Sequence, residues 1–470
     1  MRKLITLLLL FIGLQTFAVN YYVDPSSTGT NAGTLANPWK SLSDINWTSI
    51  VAGDAILFKR GQKFQGTLTI GKSGTASARI TLGAYGTGAN PLFWGTGATI
   101  SQLFNVNNRN YITFQDLTIS DTTISISDRT VQSKIQRGWS GGGSYMLIKR
   151  CVIDRVGVGV YWTGQYNVAD SCDFGNLRMV RNTNDGPPPG NDDDYGANPF
   201  VISGSNNSVT SNYMHDCWAA SYDYLVDGGG VDIYADANGD ITNTFIAYNT
   251  MVDCNGVIEI GGSGGKTVSN TILAYNKLIN NGSISYVSNS GTYLTYVNDL
   301  QFYNNVIVET EPYRLISQAL FAFKTAPTTA SSLVLKNNII QLYGTIDVCR
   351  AQWGTSGALV HENNIYNLGS GSVLNFTRNQ SELQYALNVN IWQSTTGNPL
   401  TWNYSPLPTG PAIEFGQNIP GLTRDFAGNP INAKPEAGIL EYGVITPPQP
   451  TQRTFIIRSS YGQLIVKPGN

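Results

Sequence analysis

Apolar residues in this chain come in runs of three to six, in which they alternate with polar residues. Gly, Asn, Ser or Asp separates one run from the next. Alternation with a period of two is typical of short β-strands joined by tight turns, and the pattern gives no support to long helices. The phrases TSNYM, AYNTM and AYNKL repeat between residues 210 and 282. The pattern therefore predicts an all-β fold built from repeated units.

The repeated phrases share an asparagine, at Asn212, Asn249 and Asn276, and the last step is 27 residues. Steps of 20–50 residues are typical of solenoids, in which equivalent positions of stacked coils lie about 4.8 Å apart. We therefore predict an asparagine ladder whose amides bond one another and the turn backbone. Continuing the alignment along the chain places the ladder position at Asp116, Arg150, Ser171, Asn304, Asn337 and Asn363.

Two acidic residues follow the same repeat. Asp232 and Glu259 are also 27 residues apart, and each lies between two aliphatic residues, in the phrases VDI and IEI. Because side chains alternate along a strand, inward aliphatic neighbours leave the acids pointing outward. The repeat thus predicts two carboxylates side by side on adjacent coils.

Composition and the chain ends agree with an exported solenoid. There are 50 Gly residues, charged residues make up 13%, and the net charge is −2, which gives no electrostatic reason to expect nucleic acid or acidic membranes as partners.

Residues 1–18 have the basic start, apolar core and small final residues of a secretory signal peptide, and the apolar run is too short for a membrane span. We expect a monomer that is secreted, either periplasmic or extracellular. The β-helix would span residues 19–445, and a Pro-rich linker and short tail would follow at 446–470.

The segments after the signal peptide carry a family resemblance. They include YYVDPSS, NPWKSL, AGDAILF and GAYG, in that order. This order resembles the N-terminal cap and first coils of exported bacterial proteins of the pectate-lyase-like superfamily. The resemblance implies a single-stranded right-handed parallel β-helix, a solenoid with loop excursions, an N-terminal cap and a short C-terminal tail. It also implies a polysaccharide as the partner, and β-helical glycoside hydrolases of this kind place Asp and Glu on successive coils.

Two signatures of the superfamily are missing. Polygalacturonase-like enzymes carry a Gly-His-Gly segment, but neither His215 nor His361 has glycine neighbours. The Arg-x-Pro-x-x-Arg segment of pectate lyases does not occur either. Both of these activities are therefore disfavoured.

The acid pair is the candidate for catalysis. Carboxylates about 5 Å apart are typical of retaining glycosidases, and mutual repulsion leaves one protonated as acid while the other acts as nucleophile. Asp223 and Asp227, in the preceding loop, are predicted to support Asp232 and Glu259, and His215 is a candidate base or proton shuttle. The alternatives are outward acids paired with Lys, Arg or calcium, and a structural histidine.

Aromatic residues close to the acids are candidate sugar platforms, because sugars stack their apolar faces on aromatic rings. Stacking of these rings along the solenoid is the alternative. The candidates are Trp218, Tyr222 and Tyr224 in the loop before the acids, and Tyr161 and Trp162, with Trp139, on earlier coils.

Calcium is the main rival use for the acids of this region. An acidic run and a D-x-N-x-D spacing supply hard oxygen ligands, but the Gly and the final Glu of an EF-hand are missing, which favours a solvated turn. We therefore predict no metal site and no cofactor, with Ca²⁺ as the alternative. The residues concerned are Asp192, Asp193 and Asp194, and Asp236, Asn238 and Asp240.

The five cysteines, at positions 151, 172, 217, 254 and 349, are odd in number and follow the repeat. Stacked buried thiols are the preferred interpretation. Adjacent coils also lie within disulfide reach, so a Cys217–Cys254 bond stays open.

Three functions are consistent with these observations. The first is a secreted glycoside hydrolase that cleaves a polysaccharide in a groove on the β-helix. The second is a polysaccharide lyase, which would need a base and a cation or Arg to neutralise a uronate. The third is a non-catalytic glycan-binding surface protein.

Overall fold

The computed structural model describes residues 18–95, 99–185, 192–310, 319–350, 357–387 and 389–443, together with the backbone of two strands, Phe455–Ser459 and Gly462–Val466. The predicted signal peptide, apart from Ala18, lies outside the described residues, as does the predicted Pro-rich linker from residue 446. The two C-terminal strands form an antiparallel pair within the predicted tail.

Three long parallel sheets make up the molecule. Sheet 1 contains the strands Asn20–Val23, Ala55–Lys59, Ile80–Tyr85, Ile112–Gln115, Leu147–Lys149, Val168–Asp170, Ser208–Thr210, Ile241–Ala247, Lys266–Ala274, Thr295–Tyr303, Leu333–Lys336 and Leu359–Glu362. Sheet 2 contains Lys63–Gln65, Leu92–Trp94, Thr118–Ser120, Val152–Asp154, Asp173–Gly175, Tyr213–His215, Thr250–Val252, Lys277–Ile279, Val306–Glu309, Ile339–Leu342, Ile365–Leu368 and Leu383–Ala386. Sheet 3 contains Leu68–Thr69, Phe104–Asn105, Arg137–Gly141, Val158–Trp162, Asn198–Ile202, Val231–Ala235, Ile258–Gly262, Ser285–Val287, Ala319–Phe323 and Asp347–Cys349.

The smaller elements lie outside these sheets. Antiparallel pairs join Met179–Arg181 to Tyr195–Gly196, Ala219–Ser221 to Leu225–Asp227, and Trp392–Ser394 to Asn403–Pro406. Short 3-10 helices lie at Leu42–Asp44, Gly291–Tyr293 and Pro399–Thr401. In the part of the chain that the structure describes, no helix has the length and apolar character needed to cross a bilayer.

Each coil adds one strand to each sheet in turn. Residues 208–262, for example, pass through sheets 1, 2 and 3 and then through the same three sheets again, so every neighbour in a sheet is parallel. This is the predicted right-handed parallel β-helix. Its core consists of inward side chains stacked in columns, such as Ile233, Ile260 and Val287.

Two tryptophans predicted to extend a sugar groove lie in this core instead. Trp139 and Trp162 are fully buried; Trp139 stacks on Phe104 with ring centroids 5.2 Å apart, and Trp162 lies 5.7 Å from Phe200. Alternation along the strand explains the correction, because Tyr161 points outward and its neighbour Trp162 must then point inward. Trp162 is therefore not available to a sugar on the surface.

The asparagine ladder lies at the buried turn between sheets 1 and 2. Except in the last member, each side-chain Nδ2 donates to the Oδ1 of the next asparagine at 3.0–3.1 Å, and each Oδ1 also accepts a backbone N–H. The members are Asn212, Asn249, Asn276, Asn305, Asn338 and Asn364. The prediction holds for the first three members and is one residue early for the others.

The misplaced positions share one backbone conformation. Asn304, Asn337 and Asn363 have φ values of 54–60°, and Asp116, Arg150 and Ser171 have φ values of 51–59°. The residue just before the ladder position takes this left-handed turn, as Tyr275 does before Asn276. Asparagine suits both the left-handed turn and the ladder position. Where two asparagines are adjacent, the sequence alone does not show which of them belongs to the ladder.

The described cysteines are all free and buried. Cys217 and Cys254 are unbonded thiols, and the Cys217 thiol donates to the His215 carbonyl oxygen at 3.4 Å. The interpretation as stacked thiols is confirmed, and the alternative disulfide does not form.

Candidate active site on sheet 3

The predicted acid pair is in register. Asp232 and Glu259 are direct partners on adjacent parallel strands, with Val231 opposite Ile258 and Ile233 opposite Ile260. These aliphatic neighbours are buried, whereas both acids are partly exposed. The sequence repeat therefore located two outward carboxylates correctly.

The outward column of sheet 3 continues above and below the acids. Glu259 is paired with Tyr286 on the next coil, and Asp232 with Val201 on the preceding one, beyond which lies Tyr161. Tyr286 was not among the predicted residues, although it follows Glu259 by the same step of 27 that links the acids. Extending the repeat by one coil would have found it.

A hairpin brings a third carboxylate to the pair. The strands Ala219–Ser221 and Leu225–Asp227 project between sheets 2 and 3 and return the chain to sheet 3 at Val231. Asp227, at the end of the hairpin, accepts a hydrogen bond from the Gly228 N–H at 2.7 Å. We call Asp227, Asp232 and Glu259 the acid cluster.

The members of the acid cluster hold protons more tightly than isolated carboxyls. Burial, with the charge of Asp192, raises the pKa of Glu259 to about 7. Burial and then the charge of Glu259 raise the pKa of both Asp227 and Asp232 well above the usual value, and Asp227 adds to the effect on Asp232. A partly desolvated group of like charges therefore retains at least one proton near neutral pH.

Asp223 serves a different purpose from Asp227. Its Oδ2 accepts the backbone N–H groups of Asp193 and Asp194, each at 3.0 Å. In return, Asp194 Oδ2 accepts the Ser221 hydroxyl at 2.8 Å and the Tyr222 N–H at 2.9 Å. These bonds tie the hairpin to the loop before Asn198–Ile202, a strand of sheet 3. Asp223 therefore positions the side of the site that the hairpin and this loop form.

Tyrosines line the same wall. The Tyr224 hydroxyl donates to the Asp192 carboxylate, and the Tyr293 hydroxyl donates to the Asp192 carbonyl at 3.3 Å. The Tyr293 ring meets Tyr234, two residues beyond Asp232, with centroids 6.5 Å apart. Tyr222 and Tyr224 are exposed, as their predicted role as sugar platforms requires.

Arginines cover two of the other predicted platforms. The Arg129 guanidinium lies 4.7 Å from the Trp218 ring, and that of Arg137 lies 4.8 Å from the Tyr161 ring. Both aromatic residues are partly exposed. The guanidinium groups cover part of these rings, so a sugar could stack on only part of each ring face.

His215 lies on sheet 2, away from the outward face that carries the acid cluster. Its Nδ1 is 2.8 Å from Asp216 Oδ2 and its Nε2 is 3.2 Å from Asp173 Oδ1. Burial alone would lower the His215 pKa, but hydrogen bonds to Asp173 and Asp216 outweigh it and raise the pKa to about 10. An imidazolium held between two carboxylates on another sheet does not fit the base or proton shuttle predicted from the sequence.

The acids considered for calcium are used mainly within turns. Asp193 and Asp194 each offer a carboxylate oxygen, as does Asp223 of the hairpin, which was not among the calcium candidates, and these oxygens lie within 4.8 Å of one another. Several of their oxygens already accept N–H and O–H groups of the two loops. In the D-x-N-x-D segment, Asp236 Oδ1 accepts the Asn238 N–H at 2.8 Å, as in an ordinary polar turn.

No protein-family model matches this chain, and no curated protein matches it by sequence. Among solved structures, pectate lyase Pel9A superposes with a TM-score of 0.53 and 13% identity, covering 91% of this chain and 97% of its own. A rhamnogalacturonan lyase gives a TM-score of 0.45 at 15% identity over 74% and 87% of the two chains. A GH136 lacto-N-biosidase from Eubacterium ramulus gives 0.43 at 15% identity over 78% and 68%.

At 13% identity, the superposition on Pel9A establishes a shared fold and nothing more specific. The chain has a parallel β-helix fold, which it shares with pectate lyase Pel9A.

Proposed function

We propose that this protein is a secreted glycoside hydrolase that cleaves a polysaccharide lying across sheet 3. The observation that carries the proposal is the outward pairing of Asp232 with Glu259 on adjacent strands. Neighbouring strands are about 4.8 Å apart, close to the roughly 5–5.5 Å between the carboxyl groups of retaining glycosidases. Retention of configuration is therefore the expected stereochemical outcome.

The acid cluster supplies the two protonation states that such a reaction needs. One carboxyl of the pair donates its proton to the glycosidic oxygen and the other attacks the anomeric carbon, so that the glycosidic bond breaks, the alcohol leaves and a glycosyl ester forms. The first carboxylate then takes a proton from water, which hydrolyses the ester and restores the starting state. Burial and the charge of Glu259 favour the protonated form of Asp232, and Asp227 adds to this effect when it is ionised.

A polysaccharide lyase is the second candidate, because the similar structure of Pel9A is that of a pectate lyase. A lyase must neutralise the carboxylate of a uronate before it removes the neighbouring proton. The side chains that shift the pKa values of the acid cluster are all carboxyls, with no basic side chain among them, so none of them would neutralise a uronate. This favours hydrolysis of a neutral glycan.

The test is a panel of neutral and uronate-containing polysaccharides, assayed for new reducing ends and for unsaturated products that absorb in the ultraviolet. Asp232→Asn and Glu259→Gln should each lower the rate by about 10²–10⁴-fold. Asp240→Asn is the matched control, because Asp240 is an exposed acid just beyond the Asp232 strand.

Full activity in either variant of the pair would remove the proposed mechanism. Ultraviolet-absorbing products would establish the lyase, and no cleavage of any polysaccharide would favour a glycan-binding protein.

A further inference from the structure

The outward face of sheet 2 changes character along the stack. In the earlier coils it carries polar side chains such as Asp154, Asp173 and His215, all partly exposed. In the later coils it carries aliphatic side chains, and these are buried. They are Ile279, Val306, Val308, Ile339 and Ile365. An apolar face of this kind is stable only under a cover that keeps water away from it.

Residues 412–443, which we call the C-terminal strap, cover part of this apolar face. Ala437 and Ile439 of the strap pack against its aliphatic side chains. Between them, a Cβ added at Gly438 would lie only 2.8 Å from Ile339 Cδ1. The backbone of the strap therefore lies directly on sheet 2.

The strap contributes no strand to the three long sheets. Hydrogen bonds attach it to the coils: the Gly438 N–H donates to the Asn337 carbonyl oxygen at 2.8 Å, and Asn304 Nδ2 donates to the Glu436 carbonyl oxygen at 3.1 Å. Segments with few such bonds open locally while the rest of a protein stays folded. The strap can therefore leave the coils without breaking a sheet.

Three carboxyls of the strap are buried without a basic partner. Asp425 is 0% exposed, Glu436 3% and Glu441 6%, and none of them forms an ion pair within the described residues. The Asn432 N–H donates to Glu441 Oε2 at 3.1 Å, and Asn432 Nδ2 donates to Glu436 Oε2 at 3.3 Å. One asparagine thus holds the two glutamates together.

The carboxyls of Glu436 and Glu441 also hydrogen-bond each other. An ionised carboxylate only accepts hydrogen bonds, so this contact needs a proton on one of the two. Asp425 has donors of its own, since it accepts the Asn429 N–H at 2.8 Å and the Glu441 N–H at 3.1 Å. The glutamate pair is therefore the contact that depends on a proton.

The coils place no positive charge against this pair. Burial and then the charge of Glu441 raise the pKa of Tyr275, which lies with Tyr248 at the turn between sheets 1 and 2. Lys277 of sheet 2 directs its ammonium to the Leu400 carbonyl oxygen, at 3.2 Å. The groups that face the pair from the coils are thus neutral phenols.

The basic residues of the strap are also engaged elsewhere. The Arg424 guanidinium donates to the Gly428 carbonyl oxygen at 2.8 Å, and Lys434 pairs with the exposed Glu414 at 3.2 Å. Burial and then the contact with Glu436 raise the pKa of Glu441 to about 9, and the charge of Asp425 adds to the shift. The closed strap therefore holds this proton at neutral pH.

We propose that the C-terminal strap is a pH-sensitive latch, closed while Glu436 and Glu441 share a proton and released when both are ionised in alkaline solution. Release moves two negative charges from a buried contact into water, and it uncovers the apolar face of sheet 2. The acid cluster lies on sheet 3, so the latch does not depend on the proposed hydrolase function.

Hydrogen exchange of backbone amides, followed by mass spectrometry between pH 5 and pH 8, tests the latch on the full chain. The pKa of Glu441 in the closed strap is about 9, above the ordinary 4.5, so the closed strap binds the extra proton in this range and loses stability as the pH rises. After correction for intrinsic exchange rates, the protection of strap amides such as Gly438 should fall about tenfold per pH unit. Returning the sample to pH 5 should restore it.

Glutamine variants separate the shared proton from the packing of the strap. In Glu441→Gln, the new amide donates to Glu436 without a titrating proton, and its oxygen still accepts the Asn432 N–H. The strap should lose most of its pH dependence and be protected at least about tenfold better than the parent at pH 8. Glu436→Gln should behave in the same way. Glu414→Gln is the matched control in the same segment, because the Glu414 side chain is 60% exposed, and it should keep the parent's pH dependence.

Three outcomes would overturn the latch. The first is protection of the parent's strap amides that does not change with pH. The second is the same pH dependence in Glu441→Gln and Glu414→Gln. The third is an equal change, in Glu441→Gln, of exchange in the strap and in the strand Leu147–Lys149 of an earlier coil, because that result would mean unfolding of the whole stack.

Discussion

The asparagine ladder and the acid cluster are two results of the same stacking. In the ladder, Asn249 and Asn276 lie one above the other and bond each other at 3.0 Å in a fully buried turn. On sheet 3, Asp232 and Glu259 lie one above the other in the same way, and their pKa values rise. Identical geometry stabilises one column and strains the other.

The difference lies in the hydrogen-bonding capacity of the side chains. An amide both donates and accepts, so a column of amides satisfies itself, whereas an ionised carboxylate only accepts. Adjacent carboxylates must therefore hold a proton or repel each other. A repeat protein that keeps such a pair at the surface sacrifices stability there, which is typical of functional sites.

Replacing a ladder amide with an acid should give the largest effect on folding. Asn276→Asp removes the Nδ2 donor to the Ile246 carbonyl and to Asn305 Oδ1. The substituted carboxylate oxygen would then face these two acceptor oxygens in the buried turn. We therefore expect the free energy of unfolding at pH 8 to fall by about 3–5 kcal/mol. Urea denaturation followed by circular dichroism measures it.

The control is Asn270→Asp, in a partly exposed row where Asn270 Nδ2 donates to Asn243 Oδ1 at 2.6 Å. Water can solvate the new carboxylate there, so the loss should stay within about 1 kcal/mol. Equal losses in the two variants would contradict the account of the buried ladder.

Neutralising an acid of the cluster should have the opposite sign. The folded-state pKa of Glu259 is about 7, above the ordinary 4.5, so the folded state binds the extra proton between these values and stability falls as pH rises through that window. Glu259→Gln removes this penalty. We expect it to be more stable than the parent at pH 8 by on the order of 1–3 kcal/mol, and equally stable at pH 4.

Glu414→Gln provides the comparison, because Glu414 is an exposed acid paired with Lys434 at 3.2 Å. Its stability should track the parent at both pH values. If Glu259→Gln lost stability at pH 8 as the parent does, the strain assigned to the acid cluster would be refuted.

The smallest effect is expected from a reducing agent. The described thiols are free, so the thermal midpoint should shift by less than about 1 °C when reductant is added. A Cys217–Cys254 bond would contribute about 2–4 kcal/mol and would produce a clear shift. Mass spectrometry after alkylation without reduction counts the free thiols directly.

Periodicity predicted much of this architecture. The repeat placed Asp232 opposite Glu259, and the alternation of VDI and IEI gave the outward direction of both side chains. Constant coil length converts sequence spacing into spatial neighbours, which is why this part needed no coordinates. The same rule failed at Asn304 and Asn305, where two adjacent asparagines fit two positions of one turn.

Residues on excursions from the coil were less predictable. The hairpin brings Asp227 to the cluster but uses Asp223 to tie loops together, and Tyr224 turns to Asp192 across the gap between two loops. Loop lengths vary from coil to coil, so no repeat fixes where these side chains meet. His215 has the chemistry of a base, yet Asp173, one of its two carboxylate partners, lies on the preceding coil and reaches it only in the folded stack.

The asparagine ladder ends on a different residue. Asn364 donates to Glu382 Oε1 at 2.8 Å, and the Tyr366 hydroxyl and His361 Nδ1 also meet this carboxylate. Every amide donates in the same direction along the stack, so the two ends of the series differ. A group that only accepts hydrogen bonds can therefore end it. A duplicated coil could therefore be inserted between Asn249 and Asn276 without breaking the series, whereas growth beyond Glu382 would need a new terminator.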